Sequence, residues 1–157
     1  MDNRRFLIVL LTCLLILPCL KDANSADWTW FDKGSNNLSF FYDAESTNLL
    51  PDNIIRVWVK AIPETEEDRV RHIQSERKAG FAISDNWGSS IGLFEINCKN
   101  KKSACVQETS YSIKGESIKL NSVKHPYLNH QYITAETTME ELYKNLCVKK
   151  DLKKKSR

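Results

Sequence analysis

Three cysteines, Cys98, Cys105 and Cys147, stand in the body of this 157-residue chain, behind a segment with the marks of an export leader. An odd thiol count in an exported body constrains its fold. One internal disulfide can form, one thiol is left over, and the sheet or helix holding each partner must bring them together. The leader reading rests on Arg4 and Arg5, on the apolar run Phe6 to Leu17, on Pro18, and on the small residues Ala23-Asn24-Ser25 suited to a signal peptidase. That run falls short of the roughly 20 residues that span a bilayer. Residues 1–25 are therefore expected to leave as a signal peptide, taking Cys13 and Cys19 with them. A lipidated alternative is a poor fit, because Pro18 occupies the place before Cys19 where a lipobox needs a small residue. What stays, 26–148, suits one domain with its own core, and no stable membrane span is expected once the leader is gone.

The formal net charge of +3 is unevenly placed. Lys149, Lys150, Lys153, Lys154, Lys155 and Arg157 crowd residues 149–157 against Asp151 alone. Such a tail is expected to be a disordered, solvated extension with a long-range pull on anionic partners. Its basic residues are not interleaved with aromatics on a folded face, which excludes nucleic acid as the expected partner.

Along the body the periodicity is that of strands. Leu38 to Asp43 is aromatic-rich and follows the turn-forming Gly34-Ser35-Asn36-Asn37. After Pro51-Asp52-Asn53, Ile54 to Ile62 alternates, with Ile55, Val57, Val59 and Ala61 on one side and Arg56, Trp58 and Lys60 on the other. Pro63 to Lys78 has acids first and bases last, as a helix dipole favours, and predicts a short exposed helix or an ordered loop. Asp85-Asn86-Trp87-Gly88 reads as a turn with an exposed aromatic at its tip. Ile91 to Cys98, Ala104 to Ile113 and Ser117 to Val123 form a meander with polar turns, and His125 to Thr134 is an irregular connection. Thr137 or Thr138 caps a final helix whose Met139, Leu142, Tyr143, Leu146 and Cys147 share one face. The expected fold class is α+β: an antiparallel sheet of about five or six strands with a disulfide-linked C-terminal helix packed on one face.

For the disulfide, Cys98–Cys147 would tie the last helix to the sheet, and Cys98–Cys105 would cross-link a hairpin. The first is preferred, but spacing does not settle the choice. In either case one thiol remains; with the preferred pair it is Cys105, a handle for an intermolecular bond and hence a dimer. A zinc site from Cys98, Cys105, His125 and His130 does not match the tight ligand spacing of structural zinc sites. No glycine elbow, phosphate loop or HExxH helix is present, and no spacing brings a cysteine beside a histidine. The chain is expected to be no enzyme, with no catalytic residues, no metal and no cofactor. Binding anchors are the better prospect. Trp87 is the expected exposed anchor, with Lys153, Lys154 and Lys155 of the tail beside it, whereas Trp28 and Trp58 are expected in the core.

Several segments in order, Phe41-Tyr42-Asp43, Arg56-Val57-Trp58-Val59-Lys60, Glu95-Ile96-Asn97-Cys98, the Tyr111 to Ser117 hairpin with Gly115, and Glu141-Leu142 to Leu146-Cys147, carry a resemblance. From Asp27-Trp28 to Cys147 the chain resembles the surface-adhesin protein E-like domain of Gram-negative envelopes. The resemblance implies an antiparallel sheet with a C-terminal helix, and a disulfide matching Cys98 and Cys147. It also implies an adhesin-like role toward host matrix or serum proteins, although most members have no established role. The chain departs from the family in its extra Cys105 and in lacking a convincing lipobox. The function expected is a protein-binding domain of the periplasm or surface of a Gram-negative bacterium, with a host partner, or alternatively a bacterial envelope partner served by a soluble periplasmic domain.

Overall fold

The computed structural model describes residues 26–35, 37–122 and 128–148. The expected leader, the tail with Lys153, Lys154 and Lys155, and His125 lie outside the described residues. The order is β1 (Trp28–Lys33), β2 (Leu38–Asp43), β3 (Asn48–Leu50), β4 (Ile54–Pro63), α1 (Glu66–Lys78), β5 (Trp87–Asn97), β6 (Lys102–Ser112), β7 (Ser117–Ser122), β8 (Gln131–Tyr132) and α2 (Thr138–Tyr143), which runs on into a π-turn over Lys144–Val148. Among the described residues no helix is long and apolar enough to cross a membrane.

All eight strands join one antiparallel sheet, larger than the five or six expected. The main path is β1-β2-β4-β5-β6-β7; β3 extends the pairing of β4 beyond β2, and β8 extends that of β6 beyond β7. The strands not expected are β1, β3 and β8. Two of them are too short for alternation to register, and β1 breaks its own alternation with a bulge. There Trp30 pairs with Phe41 and Asp32 with Phe40, leaving Phe31 unpaired. The extra residue turns Phe31 inward against Phe40 and Tyr42, at 6.2 and 6.0 Å between ring centroids.

Directly paired residues share a sheet face, so the register assigns the two faces. The inner face carries Ile55, Val57 and Val59 of β4 and Ile96 of β5, all buried, against Leu142 of α2 and Leu146 and Cys147 of the π-turn that continues it. A second cluster, Leu38, Ile73 and Trp87, seats α1 on the same face at the other end. The helix alternative for Pro63 to Lys78 is the one realised. Thr65 accepts from the Asp68 amide at 3.1 Å as the N-cap, and acids precede bases along the helix. Thr137 caps α2 in the same way.

Cys98 and Cys147 form the disulfide, with Cα atoms 5.6 Å apart and 49 positions of sequence separation. Its neighbours hold the same joint. The Tyr143 hydroxyl donates to the Cys98 carbonyl at 3.3 Å, and Lys101 Nζ reaches Glu140 at 2.7 Å. The C-terminal helix is thus fixed covalently, by a hydrogen bond and by an ion pair to the end of β5 and the turn after it.

Candidate functional site

Both helices cover one face, and the opposite face carries the exposed aromatics Trp30 and Tyr132. Its register runs straight across five strands: Trp30 pairs with Phe41, Phe41 with Lys60, Lys60 with Ile91 and Ile91 with Thr109. Trp28 joins this row through Lys60, whose ammonium sits 4.5 Å from the Trp28 ring centroid and 5.3 Å from that of Phe41. Trp30 is 57% exposed. Trp58, paired with Leu93, is half-buried one step along β4. Farther along, Lys102 lies 4.4 Å over the ring of Tyr132, itself 74% exposed. Burial pushes the Lys60 ammonium below its ordinary range. Packing against rings offsets part of that cost, since a cation over an aromatic face gains about 0.5–1 kcal/mol where water still reaches it.

Below this row the face carries a buried acid. Glu95 is 1% exposed and receives Arg56 Nε at 3.1 Å, with a second, shorter contact from Arg56 Nη2. His130, arriving from the connection before β8, places Nε2 3.4 Å from the other carboxylate oxygen. Three separate segments therefore meet at one carboxylate, which holds the connection against the sheet. His130, in the stretch expected to be an irregular connection, thus packs its side chain on Glu95.

The expected exposed anchor, Trp87, is buried. It is 2% exposed, donates from Nε1 to Ser90 Oγ at 3.1 Å and packs against His72 at 4.4 Å. The turn falls one residue earlier than expected, so β5 begins at Trp87, and a register shift between Trp87 and Ser89 turns the indole inward. Backbone packing is tight there: a Cβ on Gly88 would lie 2.8 Å from the Ile113 backbone. Trp28 and Trp58 were expected in the core and are half-buried on the open face instead. The alternation that put Arg56, Trp58 and Lys60 on one side was the usable signal. What it lacked was the partner strand bringing Trp28, Trp30 and Phe41 alongside.

The cysteines resolve as the preferred pair plus a free Cys105. With Cys98 in the disulfide, the two-cysteine, two-histidine zinc set loses a thiolate. Cys105 reaches the surface, yet the packing around its sulfur pushes the thiol up, and Glu108 adds to this.

No family model matches the chain, and no curated protein matches it. Solved structures do. The chain is similar to protein E of Haemophilus influenzae in its second crystal form, at 14% identity and a TM-score of 0.49, over 82% of this chain and 91% of that one. Another structure of the same protein gives 15% identity and a TM-score of 0.47, over 82% and 88%. A structure of protein E from a non-typeable Haemophilus influenzae gives 13% identity, a TM-score of 0.44, and 82% and 79% coverage.

Proposed function

We propose that this chain is an exported, non-enzymatic binding domain of a bacterial envelope, and that its partner is a protein docking on the open sheet face. The observation carrying this reading is the cross-strand row of Trp30, Phe41 and Lys60 with Trp28 beside it: aromatics aligned on one helix-free face, with a cation between rings. Tryptophan and its neighbours dominate binding energy where they anchor a buried centre. Charge fixes the partner's character. Among the described residues Lys60 and Lys102 lie over rings and make no ion pair, so the complementary surface presents carboxylates among apolar side chains. A binding role, not a catalytic one, is supported by the direction of the Cys105 shift, since an activated nucleophile needs its thiol pushed down.

The test is binding of the purified chain to immobilised host matrix and serum proteins and to envelope proteins of the producing bacterium. Saturable binding to one of them that weakens about tenfold or more in Trp30→Ala and in Lys60→Gln supports the reading. No saturable binding, or binding indifferent to both changes, overturns it. External protease on intact cells then assigns the partner: digestion places the chain before the host, and protection leaves the bacterial envelope.

A further inference from the structure

On the helix-covered face, between α1, the Gly80–Asn86 loop and strands β4 to β7, lies a cavity of about 270 Å³. Its floor is polar and ordered: Trp87 Nε1 donates to Ser90 Oγ, which sits 3.5 Å from Ser110 Oγ. His72 lines the cavity from α1, and its Nδ1 is buried with no hydrogen-bond partner among the described residues. Glu76 from α1, Glu108 from β6 and Lys119 from β7 line the same space. Among the described residues none of these three makes an ion pair or a side-chain hydrogen bond, unlike Glu66, Glu67 and Asp68 at the other end of α1. Phe40 and Phe81 supply the apolar wall.

We infer that this cavity is a binding site for a small zwitterion with an apolar side chain, an α-amino acid in chemical class. Two carboxylates and one ammonium facing one cavity match the reversed charges of such a ligand: its ammonium goes to Glu76 and Glu108, its carboxylate to Lys119. The hydroxyls of Ser90 and Ser110 take up its remaining hydrogen bonds. The aromatic wall takes the side chain. Size points to a small ligand: the cavity lies below the roughly 300–1,000 Å³ of drug-sized sites. The site is independent of the open face, from which the sheet separates it.

The experiment is a titration of the ¹⁵N-labelled whole chain with L-phenylalanine, glycine, N-acetyl-L-phenylalanine and L-phenylalanine amide, read by amide and indole N–H shifts. Saturable shifts at Trp87 Nε1–H, Ser90 and Ser110 with L-phenylalanine are expected. Affinity should fall about tenfold or more for glycine and for the two derivatives lacking one charge. Glu76→Gln and Lys119→Gln, both partly or fully exposed and checked for an unchanged melting temperature, should each weaken L-phenylalanine to a similar degree. No saturable shift at millimolar ligand overturns the inference. So does binding that ignores both substitutions, or a crystal structure grown with L-phenylalanine in which the cavity holds water alone.

Discussion

His72 packs its imidazole on the indole of Trp87, 4.4 Å between ring centroids, and so pins α1 to the first residue of β5. Trp87 fills the small core beneath that helix with Leu38 and Ile73. Trp87→Ala is therefore expected to cost about 3–5 kcal/mol, the range for emptying a buried tryptophan site. Binding at the open face, measured at a temperature where the variant is folded, is expected to be unchanged. A denaturant midpoint shift without loss of affinity would bear this out; the reverse pattern would return Trp87 to the binding surface.

The same stack gives the fold a pH response. Burial holds the His72 pKa below its ordinary value, and Glu76 offsets only part of that. The unfolded chain then takes up a proton that the folded chain resists, so stability is fully present above the unfolded pKa of about 6.5. It declines as the pH falls through that value and levels off below the folded pKa. Melting temperatures of the parent should drop on acidification from pH 8 toward pH 5, and the drop should shrink in His72→Gln.

At the other end of the sheet the acid response has a different source. The Lys101 ammonium and the Glu136 amide, hydrogen-bonded to Glu140, lower its carboxyl pKa to about 2. A depressed carboxyl contributes stability above its unfolded pKa of about 4.3, and loses it as the pH falls toward 2. Glu140→Gln should be less stable than the parent at pH 7, with the gap closing across that window. A gap of constant size from pH 7 to pH 2 would show that the pairing with Lys101 does not hold α2.

The disulfide removes unfolded-state freedom over 49 positions of sequence, worth about 4 kcal/mol on the chain-entropy account. Cys98→Ser/Cys147→Ser should lower the denaturant midpoint accordingly, and reductant should reproduce the effect in the parent and leave the double variant unmoved.

What the sequence made legible follows from where its periodicity was intact. β2 begins and ends where the Leu38 to Asp43 run predicted, and the alternation along Ile54 to Ile62 assigned both faces of β4 correctly. Strands of two or three residues carry no period, so β3 and β8 were invisible. In β1 the bulge at Phe31 disguised a six-residue strand as irregular chain. The aromatic row of the open face was half legible: β4 displayed Trp58 and Lys60, but Trp28, Trp30 and Phe41 join them only through register. Glu95 was the least legible, because a buried acid inside a strand looks like an exposed one until Arg56 and His130 are seen to converge on it.

That convergence yields the last prediction. Glu95 is buried and Arg56, 37% exposed at its side chain, reaches over it from β4. Arg56→Ala leaves the carboxylate buried without its guanidinium, a loss of about 3 kcal/mol at the lower end for broken buried pairs, since Arg56 itself keeps contact with water. Arg56→Leu/Glu95→Leu removes both charges and keeps the volume apolar, so most of that stability should return. The double variant should also loosen the connection that His130 anchors, seen as faster amide exchange at Asn129 and His130 with β4 and β5 still protected. If the double variant is as unstable as Arg56→Ala, the pair is net stabilising at this site and apolar packing does not replace it.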